Sequence, residues 1–348
     1  MSAITAPSID AAPRVLHLDG WRGLSILLVL VGHFTVAHRG GHLGVELFFV
    51  LSGRLMAQIL IEQKQPIGTF VWRRVVRVWP ALWAYVLLVA VALAASSTFG
   101  DERNALVGAA AALTFTTNYV AAVVAIPYVD HGWSLAVEEH GYLLLALIAV
   151  LARRRVAVVI AVALATAALA LVNGYHQVSV LGHDPYYTSL RTDVRASSLL
   201  LPFALYLAAQ EPRAQAVLRR LPGVPLIALA VGCWFAAMDP GPLRFGIGTG
   251  ALAIAAATID HAPPPILRLL SARLLVWFGA ISFSLYLWQQ PFMLLHRAGA
   301  PWLLCLGAAI AMGAWSYYRV ERPARARLRN YDPAVLARQF PSSGSAAA

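Results

Sequence analysis

The amino-acid sequence predicts an all-α fold, a polytopic bundle of about ten transmembrane helices, and three observations lead to this prediction. Of the 348 residues, 59% are hydrophobic and 12% are charged, whereas soluble domains carry about 25% charged residues. Apolar stretches of the roughly 17 to 25 residues that cross a bilayer recur along the chain. Basic residues gather in the short segments between these stretches, as the positive-inside rule predicts for a membrane protein.

Eleven apolar stretches are candidate membrane spans. They comprise residues 18–37, 43–62, 79–98, 105–126, 134–151, 156–173, 196–210, 224–238, 243–260, 274–295 and 301–319. A polar run from Thr114 to Asn118 interrupts the stretch 105–126, which is typical of a re-entrant or interfacial segment. Without that segment, ten spans remain and both termini are cytoplasmic. Most of the 27 Lys and Arg residues then lie on the cytoplasmic side.

The chain is predicted to have one transmembrane domain, residues 1–329, followed by a disordered cytoplasmic tail, residues 330–348. The tail ends in PSSGSAAA, which has little apolar surface to bury. Basic residues are almost all arginine, with Lys64 as the one lysine, and alanine is abundant, as GC-rich bacterial codons favour. We therefore expect a multi-pass protein of a bacterial cytoplasmic (inner) membrane.

Two other classes of protein are disfavoured by the same composition. The net charge of +11 could indicate nucleic-acid binding, but the positive-inside rule already explains where the basic residues lie. Cys233 and Cys305 both lie within apolar stretches and lack the spacing of a metal site or a disulfide framework. We expect neither a nucleic-acid partner nor a metal cofactor.

The first candidate span carries two ionisable residues, Arg22 and His33, separated by ten residues. Eleven helical steps return to within about 20° of the starting direction and advance roughly 16 Å, so both side chains lie on one face. Ionisable groups within a membrane span are functional-site candidates by default. The alternative is that Arg22 extends to the interface and His33 bonds a neighbouring helix.

The second candidate span contains two more charges. Glu46 lies near its outer end, and Arg54 follows Ser52 and Gly53. A buried arginine requires a carboxylate, carbonyl or water partner, and Glu46 is one candidate partner for Arg54.

Three arginines follow on the predicted cytoplasmic side: Arg73, Arg74 and Arg77, among tryptophans. They have two interpretations. Such a run orients a membrane protein, and arginine is also suited to bidentate phosphate binding. The loop alone does not decide between orientation and a phosphorylated cosubstrate.

Adjacent carboxylates, Glu138 and Glu139, begin another apolar span. Neighbouring residues on a helix point about 100° apart, so at most one is expected to face the same cavity as His33. Glu138 is the predicted one. Its alternative role is as a charge partner for Arg22, Arg54 or Arg195 within the bundle.

Taken in order, these motifs resemble the membrane acyltransferase-3 family, whose members O-acylate bacterial surface glycans and some small molecules. The resemblance covers residues 16 to about 325. It rests on the spacing of Arg22 and His33, GVELFFVLSG at 44–53, the arginine run ending at Pro80, the motif of Trp133, Ser134, Leu135 and Glu138, TDVRASSLLL with Arg195, ISFSLYLWQQP at 281–291, and VERP at 320–323. The chain departs from the family pattern at Glu46, where aspartate is usual, at Arg54, where an aromatic residue is usual, and at Gln289, where many members have histidine.

The resemblance implies that an acyl group, most often acetyl, passes from cytoplasmic acyl-CoA to a hydroxyl on the far side of the membrane. The acceptor would be a surface or exported glycan, or a lipid-linked sugar. Arg73, Arg74 and Arg77, with Arg22, would hold the CoA phosphates, while His33 would act as the base and Glu138 would orient it or stabilise its protonated form. Glu46 and Arg195 would bind the acceptor. An acyl-histidine intermediate is an alternative route.

Two other functions fit these residues. One is an acyltransferase acting on a small cytoplasmic metabolite such as a macrolide, which the same motifs would permit. The other is a proton-coupled transporter or flippase in which the buried charges line a pathway. Transport independent of acyl-CoA would favour the transporter. The identity of the acceptor would distinguish an acyltransferase acting on a metabolite from one acting on a glycan. The sequence does not predict the oligomeric state.

Overall fold

A computed structural model describes residues 15–35, 38–95, 102–238 and 244–339 of the chain. Throughout these ranges the regular structure is helical and no strand occurs, so the predicted all-α class is confirmed.

The helices of ten or more residues in the described ranges are numbered α1 to α11. They are α1 (Leu16–Phe34), α2 (His38–Ala57), α3 (Ile67–Ala95), α4 (Glu102–Leu113), α5 (Trp133–Leu151), α6 (Val156–Tyr175), α7 (Ser197–Ala209), α8 (Val224–Met238), α9 (Thr249–Thr258), α10 (Arg273–Arg297) and α11 (Trp302–Ser316).

Shorter helical segments connect or extend the long helices. The α-helical ones are Thr117–Val120, Pro185–Leu190, Thr192–Arg195, Pro212–Arg220, Pro264–Leu270, Arg322–Leu328 and Pro333–Gln339; the π-helical ones are Gln58–Glu62, His176–Val180, Arg244–Gly248 and Tyr317–Glu321; and the 3-10 ones are Asp130–Gly132, Ile259–His261 and Arg329–Tyr331.

Fewer helices than predicted are long and apolar enough to cross a membrane. Within the described ranges these are Gly40–Glu62, Ile67–Ala92, Asp130–Leu151, Val156–Val180 and Trp302–Leu336. Two sharply bent helix pairs, bent by 85° after Arg220 and by 104° after His261, raise the number from five to seven if each counts as one span. Helix α7 has only 13 residues and is about 20 Å long, short of a bilayer core. Ten spans and two cytoplasmic termini remain predictions.

The segment predicted to be re-entrant or interfacial, residues 105–126, is broken where its polar run begins. Helix α4 ends at Leu113, Phe115 has a positive φ of 56°, and a short helix resumes at Thr117. The polar run therefore ends the helix, while the relation of this segment to the membrane stays a prediction.

Helix α1 packs against both α2 and α10, and glycines allow these close approaches. A Cβ atom on Gly23 would lie 1.9 Å from the carbonyl oxygen of Leu275 in α10. A Cβ atom on Gly32 would lie 2.1 Å from the backbone nitrogen of Gly41 in α2. Because these contacts are backbone against backbone, they fix the position of α1 and of the His33 that follows Gly32.

The predicted disordered tail is partly helical. Residues 329–339 form a 3-10 turn and the helix Pro333–Gln339, and Asp332 is buried, with its carboxylate accepting a 2.8 Å hydrogen bond from Arg73 Nε. Composition alone missed this order because the stabilising partner lies far away in the sequence. Residues 340–348 lie outside the described ranges.

The packing of α1 leads to a stability prediction. Gly32→Ala should destabilise the protein by about 1 to 3 kcal/mol, because the added Cβ overlaps the backbone of α2. Gly307→Ala in α11 is the matched control, since its Cβ would meet nothing within 4 Å and alanine favours a helix. Thermal unfolding of both variants in detergent measures the difference. Equal melting temperatures for the two variants would contradict the close approach.

Candidate functional site

Two open cavities lie in series along α1. The first, which we call the arginine cavity, has a volume of about 580 Å³. It is lined by Arg22, Val45, Phe48, Phe49, Arg74, Arg77, Val78, Ser134, Leu135, Glu138, Glu139, Ser282, Phe283 and Tyr286. The second, the histidine cavity, has a volume of about 840 Å³. It is lined by Gly32, His33, Gly41, His42, Val45, Asp130, His131, Trp133, Tyr186, Tyr286, Gln290, Met293 and Arg297.

Val45 and Tyr286 line both cavities, so the two spaces meet at these side chains. Arg22, near the start of α1, faces the arginine cavity, and His33, near its end, faces the histidine cavity. The structure therefore places the two residues at opposite ends of a pair of adjoining cavities.

His33 is held by a glutamine. Its Nδ1 lies 3.1 Å from Oε1 of Gln289, which is fully buried in α10. A carboxamide oxygen accepts a hydrogen bond, so Nδ1 carries the hydrogen and Nε2 is the nitrogen that can accept a proton. Gln289 thus occupies the family's histidine position and fixes the tautomer of His33.

The carboxylate predicted to orient His33 lies elsewhere. Glu138 accepts hydrogen bonds from Ser52 and from Tyr142, with Ser52 Oγ at 2.7 Å. Glu138 lies four residues, or roughly 6 Å, after Ser134 on the same face of α5, and both side chains line the arginine cavity. The predicted role of Glu138 toward His33 stays a prediction, and the hydrogen-bond partner of His33 Nδ1 in this structure is Gln289. Glu139 also lines the arginine cavity, so neither carboxylate faces His33.

Arg74 is enclosed by the two carboxylates. Its guanidinium lies 3.8 Å from Glu138 Oε1 and 4.0 Å from Glu139 Oε1, and it stacks over the Tyr142 ring at 3.5 Å. Its side chain is only 12% exposed. Glu138 is therefore a charge partner within the bundle, which was the alternative prediction. Its partner is Arg74, however, and not Arg22, Arg54 or Arg195.

The other three arginines predicted to hold phosphate differ in whether they line the arginine cavity. Arg73 does not line the arginine cavity; it is directed to Asp332 and, at 3.3 Å, to Gln65 Oε1. Arg22 and Arg77 line the cavity, and no carboxylate in the described part of the chain pairs with either. These two cations therefore remain for an anionic ligand in the arginine cavity, and the predicted phosphate contact of Arg73, which lies outside this cavity, stays a prediction.

The residues predicted to bind the acceptor, Glu46 and Arg195, bind each other. Arg195 Nη2 lies 2.6 Å from Glu46 Oε2, and Thr249 donates a 2.7 Å hydrogen bond to Glu46 Oε1. Both charges are at most 5% exposed, and neither lines the two cavities. The sequence missed this pairing because the two charges come from separate helical segments.

Arg54 is also paired, and its partner is not Glu46. Its guanidinium donates to the Ala256 carbonyl at 2.8 Å and to the Asp260 carboxylate, which also lies 2.8 Å from His17 Nε2. Asp260 therefore compensates Arg54 at the end of α9.

Several residues of the histidine cavity were not predicted. Gln290 donates to the carbonyl of Pro127 and to Asp130 Oδ1, both at 2.6 Å. Tyr286 lies 2.6 Å from Ser134 Oγ and donates to the carbonyl of His131 at 2.7 Å. His131 and Asp130 directly precede the Trp133 motif, and this proximity was the one signal in the sequence that could have revealed them.

The mouth of the histidine cavity presents polar donors. Tyr186 is half exposed, and its partial burial, together with the nearby charge of Asp130, raises the pKa of its phenol, which keeps it protonated. The Arg297 side chain is exposed. Although three histidines and Asp130 share this cavity, no three His, Cys, Asp or Glu side chains in the described ranges are grouped to hold a metal ion.

Comparison with known proteins identifies a family and several relatives. A family model described as an acyltransferase domain matches residues 15–319. The peptidoglycan O-acetyltransferase OatA of Listeria monocytogenes is 29% identical over 316 residues, which cover 81% of this chain and 50% of that protein. No solved structure matches.

Two further relatives match over a similar extent. The putative peptidoglycan O-acetyltransferase YrhL of Bacillus subtilis is 27% identical over 353 residues, covering 88% of this chain and 54% of that protein. The O-acetyltransferase OatA of Staphylococcus aureus is 28% identical over 320 residues, covering 80% of this chain and 51% of that protein. The chain therefore spans about half the length of the relatives it matches.

The Glu46 and Arg195 pair leads to a prediction that separates a structural from a binding role. Arg195→Gln should destabilise the protein by about 3 to 5 kcal/mol, because it removes one charge of a buried ion pair. Arg191→Gln is the matched control, since its ion pair with Asp193 is exposed and should contribute less than about 1 kcal/mol. Unfolding in detergent measures both. If Arg195→Gln lost activity at wild-type stability, Arg195 would return to the acceptor site.

Proposed function

The chain belongs to the membrane acyltransferase-3 family, as its ordered motifs predict, and from this premise we propose that it O-acylates a cell-surface glycan. The transferred group is acetyl, and the acceptor is of the peptidoglycan class that the names of its relatives state. Acyl-CoA in the cytoplasm is the proposed donor, and the proposed location is the bacterial cytoplasmic membrane.

The observation that supports this proposal best is the pair of cavities that meet at Val45 and Tyr286. The arginine cavity is lined by three arginines with two carboxylates, and the histidine cavity mainly by hydrogen-bonding and aromatic groups, with Asp130 and Arg297. This division suits an acyltransferase that joins a phosphorylated donor to a sugar. A reacting acyl group would lie at the junction, within reach of both ligands.

The arginine cavity suits the donor. CoA carries several phosphate charges, and guanidinium groups bind phosphate through paired hydrogen bonds. Arg22 and Arg77 provide these donors, while Arg74 is held in place by Glu138 and Glu139. We assign the donor phosphates to Arg22 and Arg77.

The histidine cavity suits the transfer step. As the acceptor hydroxyl oxygen attacks the thioester carbonyl carbon, His33 Nε2 takes the hydroxyl proton. The carbon–sulfur bond then breaks, and the proton on His33 passes to the departing CoA sulfur. Gln289 keeps Nδ1 as a donor throughout, so Nε2 is the nitrogen that gains and loses the proton.

Removal of His33 tests the function. His33→Gln should reduce O-acetylation of the glycan by a factor of about 100 or more, because a general base contributes rate enhancements of that size. Mass spectrometry of the glycan from cells that produce each variant measures the acetyl content. His183→Gln, an exposed histidine outside both cavities, is the matched control. Wild-type acetylation by His33→Gln would overturn the proposed function.

Removal of the donor cations tests the arginine cavity. Arg22→Gln combined with Arg77→Gln should weaken acyl-CoA binding about tenfold or more per arginine, since a hydrogen bond to a charged group contributes about 1.5 to 3 kcal/mol. Equilibrium binding to the purified protein in detergent measures this change.

Arg73→Gln is the matched control for this experiment, because Arg73 is directed away from the cavity to Asp332. Its acyl-CoA affinity should match the wild type. If Arg73→Gln weakened acyl-CoA binding and the double variant did not, the phosphates would bind at Arg73 and not in the arginine cavity.

A further inference from the structure

His131 is buried in the wall of the histidine cavity and is 6% exposed. Among the described residues neither ring nitrogen has a well-formed hydrogen bond, since the backbone group of Leu287 beside the ring falls short of that geometry. The ring is fixed by Tyr85, at 5.6 Å between centroids, and by Tyr286, at 5.4 Å. A buried polar group without a partner is destabilising, so His131 is a candidate ligand contact.

Gln290, in the same wall, has a side-chain oxygen that is likewise buried without a hydrogen-bond partner among the described residues. Its side chain is 2% exposed, and its amide nitrogen donates to both Pro127 and Asp130. These two acceptors fix the orientation of the carboxamide, so Oε1 is an acceptor, and it is buried without a partner. Two buried, unpartnered groups therefore line one cavity.

The chemistry of these groups defines what can bind them. Gln290 Oε1 accepts hydrogen bonds only, and Asp130 beside it adds negative charge, so an anionic group is disfavoured here. A neutral imidazole has one N–H and one lone pair, and a hydroxyl can satisfy either because it both donates and accepts. Hydroxyl groups therefore fit both positions.

Several other polar groups of the wall are already engaged or lie toward the outside. His33 bonds Gln289, and the Tyr286 hydroxyl bonds Ser134 and the His131 carbonyl. His42 lies edge-on to Tyr186, at 6.3 Å between centroids, and Arg297 is exposed. His131 and Gln290 are the deep contacts left for a substrate.

We infer that His131 and Gln290 form a subsite for hydroxyl groups of the acceptor that are not themselves acylated. This inference rests on the proposed function and specifies its substrate class: a polyhydroxylated acceptor, such as a sugar, with at least one further hydroxyl near the reacting one. His131 and Gln290 position the acceptor, and His33 acts on the hydroxyl that becomes acylated.

The experiment uses the full chain in proteoliposomes, with acetyl-CoA, a soluble peptidoglycan disaccharide and its monodeoxy analogues. His131→Phe keeps the ring packing but removes both nitrogens, and Gln290→Met keeps the length but removes the acceptor. Each variant should raise KM for the disaccharide about tenfold or more, with KM for acetyl-CoA unchanged.

The monodeoxy analogues separate a binding role from a structural one. One analogue should lack the hydroxyl that the altered side chain binds. The wild-type KM for this analogue should then equal the variant's KM for the complete disaccharide, and the variant's KM should be the same for both sugars. A structural defect would not select one hydroxyl. His140→Phe is the matched control, because His140 bonds Thr192 and lines neither cavity, and its KM should equal the wild-type value.

The outcomes distinguish the inference from the function on which it rests. Unchanged KM for the disaccharide in both variants, or an equal loss with every analogue, would overturn the subsite while leaving the acetyl transfer intact. Absence of transfer by the wild-type protein would instead overturn the proposed function. If His131→Phe does not accumulate in the membrane, Gln290→Met alone decides, since its position is tested by the same analogues.

Discussion

The compensation of charge inside an apolar helix bundle is the constraint on which the rest of this structure depends. A buried charge without a partner destabilises a protein by several kcal/mol, so each one must be paired, solvated or used. Glu46 pairs with Arg195, Asp260 with Arg54, and Glu321 with Arg325, and each pair joins segments that pack together or stabilises a helix turn. Once these pairs and the contacts of Arg74 with Glu138 and Glu139 are set aside, Arg22 and Arg77 are the arginines of the arginine cavity without an ion-pair partner among the described residues.

The two cavities differ in chemistry because different helix surfaces enclose them. Helix α1 runs along both, and its backbone contacts with α2 and α10 leave no room for side chains at Gly23 and Gly32. The space between the helices is therefore enclosed by side chains further along each face. At one end these are arginines and carboxylates, and at the other they are imidazoles, amides and aromatic rings. Tyr286 stands between the two because its hydroxyl is held by Ser134 and by the backbone of His131.

The sequence predicted what local periodicity determines. The helical class and the placement of Arg22 and His33 along one path follow from spacing within a single helix, which needs no knowledge of the fold. The partners did not follow, because His33 and Gln289 are 256 residues apart, Arg54 and Asp260 are 206 apart, and Arg73 and Asp332 are 259 apart. The motif resemblance assigned Glu138 to His33 and Arg195 to the substrate, whereas in this structure Glu138 contacts Ser52, Tyr142 and Arg74, and Arg195 pairs with Glu46. The number of spans stays a prediction, because hydropathy alone does not show where a helix ends or bends, and five to seven of the described helices or bent pairs are long and apolar enough to cross a membrane.

The presence of Gln289 beside His33, where many family members have histidine, has a physical consequence for the proposed transfer step. A carboxylate beside Nδ1 would stabilise the protonated imidazole, but in the buried wall it would need its own compensation before protonation occurred. A carboxamide fixes the same tautomer without adding a charge, so it needs no partner cation within the histidine cavity. In the proposed mechanism, neutral groups such as His131 and Gln290 can then contact the hydroxyls of the acceptor. The neutrality of Gln289 leaves Asp130 and Arg297 as the charged side chains of the histidine cavity, so the hydrogen bond that holds His33 adds no further charge to its wall.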